Sequence, residues 1–270
     1  MQRGIYSACS AMIVQTTFLD VVANNLANAN TVGFRKRIPV SQSFPDLLMD
    51  RIEKVSADGQ TKIFTVPPFQ MNFKGKALIG SLSFANVMTQ TYMPDFHGPL
   101  NVTDNPLDAA LRGEGFFTLQ NADGDIFYSR QGSFQIDGTG NVVTGDGLRL
   151  VAGGAPVNIG DASSFLFTSD GFIIADGEAV AQLDIVTFET PSLLRQVGSS
   201  ALLAETPHSG TPVPVAEPLV VPGALERSNV NVVEEMARMI EIQRAYEAAS
   251  KALMTNDETA GKMISSFNKS

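Results

Sequence analysis

The sequence predicts an α+β fold: long N- and C-terminal helices form a coiled-coil stem and carry an inserted, mainly antiparallel β-domain. Three observations predict it. Ile5, Met12, Leu19 and Leu26 recur every seven residues at one end of the chain. Val232, Met239, Tyr246, Leu253, Ala260 and Phe267 do the same at the other. A seven-residue apolar repeat keeps one helix face apolar, as a coiled-coil seam requires. Between these repeats, five Asp-Gly steps fall within 55 residues, at Asp123, Asp137, Asp146, Asp170 and Asp176. They separate short runs of β-branched and aromatic residues. Asp-Gly supports the positive φ of tight hairpin turns, so the middle of the chain reads as antiparallel hairpins.

The first helix is expected over residues 4–29, with Ala8, Val22 and Ala23 beside the repeat. It should stop in the run from Asn28 to Gly33, where Asn and Gly tolerate the left-handed conformation of a C-terminal cap. Gly33 is expected to supply a positive φ to the exit turn. Asn24, Asn25, Asn28 and Asn30 compete with helical hydrogen bonds, so they either cap the helix end or bond a neighbouring helix. The second helix should begin near Asn231, with Glu234 completing a capping box. About 36 residues at 1.5 Å each would span roughly 54 Å. Thr255, Asn256 and Asp257 mark a place where the pattern allows a break.

The boundaries follow from these signals. A terminal helical assembly domain is built from residues 1–34 and 225–270. An extended, loop-rich region covers 35–99, marked by Pro39, Pro45, Pro67 and Pro68. An all-β domain covers 100–205, and a Pro-rich linker covers 206–224.

Composition removes several classes of function. Apolar residues make up 44% of the chain and charged ones 17%, which is too apolar for wholesale disorder. Acidic residues outnumber basic ones 28 to 19, for a net charge of −9. Such a chain has little with which to displace counterions from phosphates, so no nucleic-acid partner is expected. Cys9 is the single cysteine, which excludes an internal disulfide. No uninterrupted apolar run reaches the ~18 residues of a membrane span, and no membrane insertion is expected.

Catalytic chemistry is equally hard to place. His97 and His208 both sit in Pro- and Gly-rich sequence, and no nucleophile elbow, zinc-protease helix or phosphate-binding loop accompanies them. Asn121, Asp123 and Asp125 resemble the start of a calcium loop. That loop needs Gly at its sixth position and Glu at its twelfth, where this chain has Ile126 and Gly132, so a hairpin turn is the better account. The reading is therefore not an enzyme: no catalytic residue, no cofactor and no metal ligand.

The residues singled out are those of the helical stripes: Ile5, Met12, Leu19, Asn25, Leu26, Asn28, Asn30, Gly33, Val232, Met239, Tyr246 and Leu253, as a subunit interface. Two arrangements would bury these stripes. The helices pair with each other, or they pack on the same helices of neighbouring subunits. The C-terminal helix is apolar beyond one seam, at Ala245, Ala248 and Met254, which a two-helix stem would leave in water.

Several segments resemble one family, the flagellar rod and hook axial proteins. Ala23 to Phe34 (ANNLANANTVGF) is similar to the family's N-terminal signature A-N-N-L-A-N-x-x-T-x-G-F. Pro106 to Leu111 (PLDAAL) with Gly113 to Phe117 (GEGFF) resembles the entry to its central β-domain. Tyr128 to Phe134 (YSRQGSF) resembles the stretch that follows. Leu225 to Glu235 (LERSNVNVVEE) and Gln243 to Glu247 (QRAYE) resemble its C-terminal signature. The resemblance implies a structural subunit of the basal body rod, self-associating with neighbouring rod and hook proteins into a hollow helical shaft that transmits torque. It implies export through the flagellar type III apparatus without a cleaved signal peptide, a periplasmic location, and contact with ring proteins around the rod. Ser228–Val232 resembles distal-rod sequence, while Ile5–Ala8 and Asp257–Gly261 resemble a proximal-rod protein. The alternative is a surface β-domain that binds glycan or calcium on a helical stem.

Overall fold

The computed structural model describes residues 2–51, 61–66, 69–74, 77–94, 96–160, 164–197, 202–204 and 209–267. His208 lies outside them. Two long helices are present: α1 over Gln2–Ala27 and α2 over Val232–Phe267. α2 runs unbroken through Thr255–Asp257, because the side chains there are satisfied within the helix: Thr255 Oγ1 donates to the Lys251 carbonyl and Asn256 Nδ2 to that of Ala252, both at 2.9 Å. Asn231 caps α2, its Oδ1 accepting from the N–H groups of Val233 and Glu234 at 3.1 and 3.4 Å. Glu234 does not reach back as a capping box would. It lies 3.2 Å from Arg238 and 3.7 Å from Lys36 instead.

The part of α1 from Gly4 to Ala27 is long and apolar enough to cross a membrane, although polar residues interrupt the run. Core helices of water-soluble proteins pass the same test. Ala8, Val14, Val22 and Asn25 are buried within the chain.

The chain divides into two compact units. The first comprises residues 1–17, 41–89 and 243–270. Its strand Ala77–Tyr92 pairs with Ile38–Arg51, each continuing slightly past the unit, and Thr61–Val66 pairs antiparallel with Phe69–Lys74. The described residues of the stretch 35–99, expected to be extended and loop-rich, thus carry four strands. Each strand of a two-stranded ribbon has one unpaired side, and a proline whose nitrogen faces that side costs no ladder bond. In the same unit, a Cβ placed on Gly4 of α1 would stand 3.2 Å from the Asn256 side chain of α2.

The second unit comprises residues 18–40 and 90–242. Its largest sheet is antiparallel, with Phe116–Gln120 flanked by Ile126–Ser129 and Arg149–Ala152. Phe117 faces Ser129 and Leu119 faces Phe127 in register. All five Asp-Gly steps fall at turns or strand ends. Asp176 and Gly177 both take positive φ, of 50° and 87°, between Phe172–Ala175 and Glu178–Gln182. The core gathers Phe117, Leu119, Phe134, Leu150, Phe167 and Ile173. Phe117 meets Phe134 edge-on with ring centres 5.5 Å apart. The Pro-rich stretch 206–224 also joins this fold: Val213–Pro214 pairs with Ile185–Thr187, and Val220–Pro222 with Ala109–Leu111.

One turn carries a pH dependence. The Asp137 carboxylate accepts from the Thr139 hydroxyl at 2.7 Å and from the N–H groups of Thr139 and Asn141 at 2.8 and 2.9 Å. These bonds, the hydroxyl first, hold its pKa at about 2. A lowered carboxylate pKa stabilises the fold above the unfolded value of about 3.9, and that contribution disappears as pH falls through the folded value. The amide resonances of Thr139 and Asn141 should therefore titrate with a midpoint near pH 2. In Asp137→Asn that transition should vanish.

Candidate assembly site

α1 ends in a hydrogen-bonded junction within the second unit. Asn25, only 1% exposed, donates from Nδ2 to the Arg37 carbonyl at 2.8 Å and to Glu235 Oε2 at 3.2 Å. Its Oδ1 accepts from the Arg37 N–H at 3.0 Å. One amide thus pairs both backbone groups of Arg37 and touches the first turn of α2. Glu235 is fully buried, with Arg238 Nη1 3.5 Å from its other oxygen. Asn28 turns back on α1, donating to the Asn24 carbonyl at 2.9 Å, and its Oδ1 accepts from Thr31 Oγ1 at 3.1 Å. Burying these amides is tolerable because each is bonded.

The chain then passes Gly33, whose φ of 70° is the expected left-handed value. The Gly33 N–H donates to the Glu226 carbonyl at 2.8 Å. The Glu226 side chain turns inward, 2% exposed, and accepts from Arg130 Nη1 and from the Gly98 N–H, both at 3.0 Å. His97 Nδ1 lies 4.0 Å from the same carboxylate. Asn229 links two further strands of chain: its Oδ1 accepts from the Lys36 N–H at 2.7 Å and its Nδ2 donates to the Phe96 carbonyl at 2.8 Å. Arg37 reaches Thr91 Oγ1 at 2.9 Å and the Leu194 carbonyl at 2.7 Å.

The residues expected at a subunit interface divide into three groups. Asn25, Asn28 and Gly33 are buried in this junction. Ile5, Met12, Leu19, Leu26, Met239, Tyr246 and Leu253 are partly covered along the helices. Asn30 and Val232 are exposed. On α2 the covered positions are Glu235, Met239, Ile242, Tyr246, Ala249, Leu253, Asn256 and Ala260, alternating four and three residues apart. Arg238 and Ser250 flank them. Val233, Met236, Ile240, Met254 and Ile264 remain 76%, 49%, 52%, 60% and 66% exposed. They occupy two heptad positions that adjoin a single side of the covered stripe. On α1, Tyr6 and Ile13 are 70% and 66% exposed, one heptad apart.

Sequence reasoning did not single out Arg37, Arg130, Glu226 or Glu235. Arg130, Glu226 and Glu235 stood in the sequence only as members of the segments from Tyr128 to Phe134 and from Leu225 to Glu235 that resemble the family, with no role of their own assigned. Among the described residues, no group of three or more His, Cys, Asp or Glu side chains gathers as a metal site.

Three family models match, in order along the chain. "Flagella basal body rod protein" covers residues 5–35, "Flagellar hook protein FlgE/F/G D1 domain" covers 110–185, and "Flagellar basal body rod FlgEFG protein C-terminal" covers 221–266. The flagellar basal-body rod protein FlgG of Bacillus subtilis is 35% identical over 277 residues, 98% of each chain. The protein of that name from Agrobacterium fabrum is 34% identical over 96% of this chain and 97% of its own. The flagellar basal-body rod protein FlgF of Mesorhizobium japonicum is 29% identical, over 98% and 97%. The chain belongs to the flagellar basal-body rod protein family. Its three family segments are the ones the junction ties together: the end of α1, the hairpin that carries Arg130, and the strand Ala224–Glu226 leading to α2.

Proposed function

We propose that the chain is a structural subunit of the flagellar basal body rod, polymerising into a hollow helical shaft that transmits torque, and not an enzyme. One observation carries this reading. Beside the stripe that α2 already covers, it offers Val233, Met236, Ile240, Met254 and Ile264 to solvent. An apolar stripe that its own chain leaves bare is what a self-assembling subunit presents to the next copy.

The covered stripes support an antiparallel helix pair. Gly4 stands beside Asn256 and Asn25 bonds Glu235, 21 residues apart on each helix. Met239, Tyr246 and Leu253 then belong to the seam of a coiled-coil stem. Ile5, Met12, Leu19 and Leu26 border it, and with Val232 and Asn30 they complete the surface turned to neighbouring rod and hook subunits. Export through the flagellar apparatus, a periplasmic position and contact with ring proteins belong to the same reading.

Sedimentation over a concentration series tests it. Ile240→Asp charges the open stripe at a half-exposed position, so folding should change by no more than about 0.5 kcal/mol. Leu253→Asp charges the seam and should leave the β-domain folded by circular dichroism. Both should stay small at concentrations where the unaltered chain forms elongated polymers. Normal polymers from both variants would refute an assembly role for the helices.

A further inference from the structure

The net charge of −9 is not spread evenly along the chain. Residues 100–205 hold 14 acidic and 4 basic side chains, a balance of −10. Everything else, both long helices included, holds 14 acidic and 15 basic, a balance of +1. The acidic stretch is the one that supplies the strands from Leu100–Val102 to Leu202–Ala204.

The fold keeps that charge on the surface. Among the described residues of the stretch, nine acidic side chains are exposed, with Glu114, Asp125 and Glu178 among them, against two basic ones, Arg112 and Arg195. Arg130 offsets none of this, because it is buried against Glu226, which lies outside the stretch. The bare apolar stripe of α2 also lies outside it. The groups that draw copies together and the groups that drive them apart thus belong to different parts of the chain. Exposed like charges repel over a Debye length, about 30 Å at 0.01 M salt and about 8 Å at 0.15 M. The longer distance matches the width of a folded domain of this size, roughly 30 Å, and the shorter one is a fraction of it.

We infer that ionic strength gates the self-association of this chain. The acidic stretches of adjoining copies repel, and assembly through the helices proceeds once salt screens them. The inference rests on the assembly reading above and adds the force that opposes it. It assigns that control to residues 100–205 and not to the helices.

Sedimentation of the full-length chain at neutral pH, over a series of sodium chloride concentrations, tests this. Between about 0.01 and 0.15 M the critical concentration for polymers should fall about tenfold or more. Glu114→Gln, Asp125→Asn and Glu178→Gln combined take the stretch from −10 to −7 and so cut the repulsion between two copies to about half. All three positions are exposed, so the fold should be kept, which circular dichroism checks. That variant should polymerise at lower salt than the unaltered chain, with a shallower salt dependence. A critical concentration indifferent to salt would overturn the inference and leave the assembly reading standing. An equal salt dependence in the two chains would also overturn it, since salt would then act outside residues 100–205. No polymer from either chain at any salt would sink the assembly reading itself, and this inference with it.

Discussion

Replacing Arg130 by Met should destabilise the fold by about 3–5 kcal/mol, because it leaves the Glu226 carboxylate buried without its cation. The two groups are 3.0 Å apart with 1% and 2% of their side chains exposed, so water cannot take the place of the guanidinium. The Gly98 N–H would remain as a neutral donor at 3.0 Å, with His97 Nδ1 4.0 Å away. The pair itself is worth much less than this loss, since both charges were stripped of water to form it. Arg130→Met combined with Glu226→Gln should therefore recover much of the stability. Urea unfolding of the two single variants and the double variant measures the coupling. Equal losses in Arg130→Met and in the double variant would show that packing against Phe116, and not charge, is what Arg130 supplies.

Gly33→Ala should cost about 2–5 kcal/mol, from two sources that add. The backbone there has φ of 70°, which an L-alanine adopts only with strain. Its Cβ would also overlap the Gln131 nitrogen and the Arg130 carbonyl carbon, which are backbone atoms with no rotamer to change. Gly33→Asn separates the two terms, since Asn tolerates the left-handed conformation but meets the same obstruction. Both variants should lose the Gly33–Glu226 backbone bond, visible as faster hydrogen exchange at that amide. A Gly33→Ala chain within about 0.5 kcal/mol of the unaltered one would mean that the exit loop does not approach the Arg130 hairpin this closely.

The helices, the hairpin turns and the exit of α1 at Gly33 were legible in the sequence because each depends on neighbours a few residues away. Heptad spacing follows from the pitch of one helix, and an Asp-Gly step carries its own turn preference. Only one part of the candidate site was legible in this way. The repeat through Met239, Tyr246 and Leu253 does mark the covered stripe of α2, yet its companion column begins with Glu235, a charged residue that periodicity would place in water. The strands within 35–99 were hidden because proline counts against a strand until its edge position is known.

What tertiary structure alone decided is which polar groups turn inward. Asn25 meets Glu235 from 210 residues away, and Arg130 meets Glu226 from 96. Nothing local distinguishes Glu235, Arg130 or Glu226 from solvated side chains, and the asparagine run at the end of α1 did not say which partner Asn25 would meet. Their burial is favourable only once distant segments supply donors and acceptors at hydrogen-bond distance, and that condition is met by the folded chain as a whole.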